Sequence, residues 1–145
     1  MLYSSTFSIM PIPTLAEFLA RAKETIIDAR TNLQQVTLVL GKNQPDLDSI
    51  TSAIVFAYFR SALPPDDCWA STYIPILNES RAELGDQTYL NRVLPHSSIG
   101  LPDLVAVEDM VLPGTTQSGL KEELVRLFFV DHNVRPEHTV VGCGF

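Results

Sequence analysis

The stretch Val39-Leu40-Gly41-Lys42-Asn43-Gln44-Pro45-Asp46-Leu47-Asp48-Ser49 passes from an apolar strand through a tight loop into a helix. Val36 to Leu40 is the β-branched and leucine run expected of a buried strand. Pro45 stops the strand, and Asp48 or Ser49 stands where a helix N-cap is needed. The loop therefore holds two carboxylates, Asp46 and Asp48, between a strand end and a helix start. A second apolar run, Leu127-Phe128-Phe129-Val130, ends in Asp131-His132-Asn133. Folding alone gives little reason to place acids at the ends of two buried strands.

Outward from these loops the chain alternates helices and strands. Residues 1–13, with Pro11 and Pro13, read as a lead-in, and residues 14–145 as one α/β domain. Thr14 with Glu17 forms a capping-box pattern, followed by Leu15, Phe18, Leu19, Ala22, Ile26 and Ile27 at helical spacing to about Ala29. A helix over Ser49 to Ala62 is apolar nearly all round, because Val55, Phe56 and Phe59 add to its main stripe, so it should be well buried. Trp69 to Leu77 reads as a strand, with Pro75 placing it near an edge. Glu79 to Val93 reads as a helix with Leu84, Tyr89, Leu90 and Val93 inward, and Leu104 to Val107 as a third strand. Leu120 to Val125 reads as a short helix, Leu127 to Val130 as a fourth strand and Thr139 to Val141 as the start of a fifth. This order predicts an α/β fold: a doubly wound, mostly parallel sheet with right-handed crossovers and helices on both faces. Ligands of such sheets sit outside the carboxyl ends of the strands, which is where both acidic loops fall.

A chain of 145 residues is long enough for one sizeable core. Its formal net charge of −7 and its lack of any Lys/Arg cluster argue against nucleic acid as a partner. Cys68 and Cys143 match no metal spacing and make no disulfide framework, so a reducing, cytoplasmic setting is expected. No signal peptide and no membrane span are legible.

Hard divalent cations prefer carboxylate oxygen, and two metals about 3.5–4 Å apart can hold a phosphate and activate a bridging water. Asp46 and Asp48 can turn toward one point, Asp131 can supply a bridging oxygen, and the helix N-terminus favours an anion there. Simpler roles compete with these. Asp48 can be only a helix cap, Asp46 can belong to an Asx turn, and Asp131 and His132 can be ordinary loop residues. Glu108-Asp109 reads as a surface turn, and His96 and His138 as solvated or peripheral.

Gly41 to Ser49 resembles the first signature of the DHH phosphoesterase superfamily, nearest to exopolyphosphatases, prune proteins and manganese-dependent inorganic pyrophosphatases. Phe129-Val130-Asp131-His132-Asn133 resembles its second signature. Tyr73-Ile74-Pro75-Ile76-Leu77 followed by Arg81-x-Glu83-Leu84 is similar to the fungal exopolyphosphatase pattern. The resemblance spans roughly residues 15–142. It implies Asp46, Asp48 and Asp131 as metal ligands, with Asp48 and Asp131 catalytic and Asp131 bridging. It further implies a two-metal site for Mn²⁺ or Mg²⁺, and release of orthophosphate from inorganic polyphosphate or pyrophosphate. Lys42, Asn43, His132 and Asn133 would support the site or contact phosphate.

The chain departs from the family pattern in three ways. Lys42 stands where relatives carry His or Asn near the metal. A charged ammonium donates hydrogen bonds but does not coordinate, so either Lys42 meets a substrate phosphate or Asn43 takes the ligand position. The Asp-His-His signature is absent, with Val140-Val141-Gly142 followed only by Cys143-Gly144-Phe145. The second, substrate-clamping domain is also missing, so the resemblance implies a truncated DHH domain with little or no turnover. The alternative expectation is a non-catalytic metal-binding and partner-binding module of prune type, able to self-associate through an exposed sheet edge. A receiver-like signalling domain ranks below both.

Overall fold

The computed structural model describes residues 11–63, 72–111 and 119–130. Its centre is a three-stranded parallel sheet in the order β2-β1-β3, with β1 at Val36–Leu40, β2 at Tyr73–Ile76 and β3 at Val125–Phe129. Thr37 is in register with Tyr73 on one side and with Arg126 on the other. The expected α/β architecture is therefore present, and its pleat sorts the core into two layers. Val39 and Tyr73 point to one face, and Val36, Leu38, Ile74 and Ile76 to the other.

Helix α1, Leu15–Asn32, starts with the predicted capping box: Thr14 Oγ1 accepts from Glu17 N–H, and Glu17 Oε2 accepts from Thr14 N–H. Its Ala22, Ile26 and Ala29 lie in the cluster with Val36, Leu38, Ile74 and Ile76. Helix α2, Leu47–Ala62, packs Ile50, Ala53, Ile54 and Ala57 onto the opposite face with Val39 and Tyr73. Phe18 of α1 meets Tyr58 of α2 edge-on at 5.4 Å between ring centroids. The sheet is thus covered on both faces. Each fully buried Ile or Leu contributes about 1.5–3 kcal/mol of hydrophobic stabilisation.

Several elements differ from the sequence reading. The helix expected over Glu79 to Val93 is split into α3, Arg81–Gly85, and α4, Thr88–Val93, because the chain stops at Gly85 and restarts after Gln87. Val93, expected to point inward, is 41% exposed. The strand expected over Leu104 to Val107 is reduced to one parallel bridge between Leu77 and Ala106, and a 3₁₀ turn over Val107–Met110 follows at once. The helix expected over Leu120 to Val125 is a 3₁₀ turn at Glu122–Leu124 leading into β3. α2 starts at Leu47, with Asp46 as its N-cap in place of Asp48 or Ser49. It is also not buried all round, since Val55 (46%) and Phe59 (58%) are exposed. Pro75 costs β2 nothing: the N–H groups of Tyr73 and Leu77, on the same side of the strand, bond to Ser61 Oγ and Val105 O, away from β1. The proposed fifth strand at Thr139 to Val141, and Cys68 and Cys143, lie outside the described residues. Among the described residues no helix is long and apolar enough to cross a membrane.

At the amino end of the sheet Arg126, 4% exposed, donates from Nη2 to Tyr73 Oη at 3.1 Å. Arg126 and Arg60 both lie against the Tyr73 ring, at 5.9 and 5.6 Å from its centroid. This basic cluster lies at the end of the sheet away from the Gly41–Ser49 loop.

Candidate functional site

The loop after β1 leaves the sheet at its switch point, with β2 on one side of β1 and β3 on the other. Val130 N–H donates to Leu40 O at 2.9 Å, so β3 finishes beside the start of this loop. The geometry of the loop follows from a contact between Gly41 and Ser49. A Cβ at Gly41 would collide with Ser49 Oγ and come within 3.1 Å of the Ser49 carbonyl oxygen. Glycine lets the strand end lie directly against the first turn of α2. The buried Ser49 hydroxyl then accepts from Lys42 N–H at 2.7 Å, which joins the loop to the helix.

Two further residues brace the loop from neighbouring elements. Asn78, just past β2, donates from Nδ2 to Asn43 Oδ1 at 2.8 Å. Tyr89 of α4 donates its hydroxyl to Pro45 O at 2.5 Å. Burial, with Glu79 and Asp46 nearby, pushes the Tyr89 phenol up, so it remains a donor at neutral pH. Neither brace was identified from the sequence. Asn78 carried a signal, being a polar residue at the carboxyl end of a strand that points to the same edge. Tyr89 read only as an apolar contact.

Asp46 uses both carboxylate oxygens within the loop. Oδ1 accepts from Ser49 N–H at 2.9 Å, and Oδ2 accepts from Lys42 Nζ at 3.1 Å. The Ser49 N–H first, and then the Lys42 ammonium, hold this carboxyl below the usual carboxylate range. Asp48 lies exposed in the first turn of α2. The structure thus brings Lys42, Asn43, Asp46 and Asp48 into one loop. Asp131, His132 and Asn133 lie outside the described residues. Glu108 and Asp109 have structural roles: Glu108 Oε1 accepts from Arg81 N–H, and Asp109 Oδ2 accepts from Arg81 Nη2 at 2.7 Å and from Ala106 N–H.

The described residues do not by themselves fit a divalent metal. No three His, Cys, Asp or Glu side chains among them converge, and Asp46 already has a cap hydrogen bond on one oxygen and an ammonium on the other. Chemically, the loop presents the amino end of a 16-residue helix, one ammonium and two carboxylates at the carboxyl edge of the sheet. That arrangement suits an anion accompanied by cations.

Comparison with known proteins gives two similarities. The chain is 35% identical over 85 residues to Protein prune homolog 2 of Mus musculus, covering 59% of this chain and 3% of that protein. It is 30% identical over 116 residues to Exopolyphosphatase PRUNE1 of Mus musculus, covering 76% of this chain and 23% of that protein. No family model and no solved structure matches. The chain spans less than a quarter of the length of either relative. These similarities support a distant relationship to the DHH family through its prune and exopolyphosphatase branch.

Proposed function

We propose that the chain is a phosphoanhydride-handling domain of exopolyphosphatase type that acts, slowly, on the end of an inorganic polyphosphate or pyrophosphate in the cytoplasm. The observation that carries this reading is the Gly41–Ser49 loop, seated at the switch point of the sheet with the α2 amino end and the Lys42–Asp46 pair on it. The similarity to Exopolyphosphatase PRUNE1 over 116 residues supports it. In this reading the first turn of α2 faces the terminal phosphate, the Ser49 hydroxyl holds the Lys42 backbone in place, and Asn78 and Tyr89 keep the loop from opening. Asp48 and Asp131 are the proposed carboxylates of the reaction, with Asp46, His132 and Asn133 beside them. Mn²⁺ and Mg²⁺ are the proposed cations. Turnover is low because both Asp46 oxygens already accept, one from Ser49 N–H and the other from Lys42 Nζ.

The test is orthophosphate release from tripolyphosphate with Mn²⁺ or Mg²⁺, comparing the chain with an Asp46→Asn/Asp48→Asn variant. The reading expects slow, cation-dependent release that disappears in the variant. Release no greater than that of the folded double variant would overturn it.

A partner-binding module of prune type is the second reading. It is favoured by Val55 and Phe59, exposed at i and i+4 on α2, and by the exposed Leu63 that caps its carboxyl end. It expects no release and a mass above that of one chain in size-exclusion chromatography with light scattering.

A further inference from the structure

We infer that Lys42 is a tethered cation that keeps a divalent metal ion off Asp46. Its ammonium lies 3.1 Å from Asp46 Oδ2, while Oδ1 is taken by the Ser49 N–H. A metal approaching this carboxylate meets a positive charge on one oxygen and a capping hydrogen bond on the other. The pair is four residues apart across the loop, and its two ends are held. The Lys42 backbone is fixed by Ser49 Oγ and the Asp46 carboxylate by Ser49 N–H. The ammonium therefore starts close to its partner.

The strength of the ion pair is not what excludes the metal. Both side chains are about half exposed, at 43% and 53%, and such a pair contributes little to stability. Exclusion comes from repulsion. A unit charge and a divalent ion held about 4 Å apart in water lower each other's occupancy roughly tenfold when salt screens them and thirtyfold when it does not, and an exposed ammonium that can swing aside keeps the effect below that ceiling. Lysine has no lone pair to offer in exchange while charged. The Asp46 charge is thereby balanced from within the loop, whose affinity for a cation rests on carboxylates other than Asp46.

This inference deepens the proposed reading of the loop by naming what limits its cation. Mn²⁺ binding can succeed or fail independently of tripolyphosphate release, so the two ideas are separable. The experiment measures free Mn²⁺ by electron paramagnetic resonance in titrations of four folded chains: wild type, Lys42→Met, Asp46→Asn and Lys42→Met/Asp46→Asn. Methionine keeps the length of the stem and removes the charge. Lys42→Met is expected to bind Mn²⁺ more tightly than wild type, by up to about tenfold. Asp46→Asn alone should change little, and it should cancel the gain in the double variant. Unchanged or weaker binding by Lys42→Met overturns the inference, and so does a gain that survives Asp46→Asn. Circular dichroism and urea midpoints confirm that each chain is folded, and Lys42→Arg, which retains the charge, should behave as wild type.

Discussion

Gly41→Ala tests the construction of the loop directly. The added methyl group must displace Ser49 Oγ and also crowd Ser49 Cβ and its carbonyl oxygen, at 3.3 and 3.1 Å. Rotating the hydroxyl away breaks its hydrogen bond from Lys42 N–H and leaves a donor and an acceptor unpaired beside buried Gly41 and Ser49. An unsatisfied buried pair of this kind costs about 1–3 kcal/mol. Overpacking against the helix backbone, which cannot rotate away, adds about 1–3 kcal/mol. The expected loss is therefore about 2–6 kcal/mol, a large share of the roughly 5–15 kcal/mol of a typical domain. Ser49→Ala removes only the hydrogen bond and should lose about 1–3 kcal/mol. The double variant Gly41→Ala/Ser49→Gly removes the colliding side-chain atoms, though not the carbonyl oxygen, and should fall short of the sum of its parts, because the two sites are in contact. The assay is urea unfolding followed by far-ultraviolet circular dichroism, with the slopes compared for two-state behaviour. A Gly41→Ala loss below about 0.5 kcal/mol, within the ordinary range for surface positions, would refute the reasoning.

Two other outcomes follow from the same loop. The Asp46 carboxyl is held low in the folded state, so its contribution is fully present above its unfolded pKa and is lost as pH falls through the lower folded value. The urea midpoint of wild type should therefore exceed that of Asp46→Asn at neutral pH, and the gap should close below about pH 4; a gap independent of pH would contradict this. Tyr89→Phe removes the hydroxyl that supports Pro45 O and should lose about 0.5–1.5 kcal/mol. Hydrogen exchange of the amides of Lys42 to Gln44 should quicken in that variant, and unchanged protection would show that the brace does not hold the loop.

The fold was legible where local chemistry and tertiary context agree. Thr14 with Glu17 and the stripe that follows give α1 without reference to the rest of the chain. Val36–Leu40 is largely apolar, and buried on both faces except for half-buried Leu40, because α1 and α2 both cover it. The reading failed where geometry outside the segment decides. Leu104 to Val107 has strand-like residues, yet only Ala106 pairs, and Asp109 accepting from Ala106 N–H turns the chain into a 3₁₀ turn. The helix expected over Glu79 to Val93 runs through Gly85. Instead α3 ends there, and Asp86 N–H turns back to Glu83 O.

At the site, spacing located the loop but not the division of labour inside it. Asp46, Asp48 and Ser49 are all good capping residues, and only the backbone shows that Asp46 caps. The pairing of Lys42 with Asp46 depends on how tightly the loop closes, which Gly41 and Ser49 determine together. Asn78 and Tyr89 reach the loop from other elements, and no local pattern announces such contacts.

The most direct test of the central claim is an ¹⁵N-labelled nuclear magnetic resonance titration of the chain with tripolyphosphate and Mg²⁺. The account predicts shifts concentrated in Gly41 to Ser49, with a smaller response at Asn78. Shifts centred on Arg60, Tyr73 and Arg126 at the opposite end of the sheet, or no shifts in a folded chain, would contradict it.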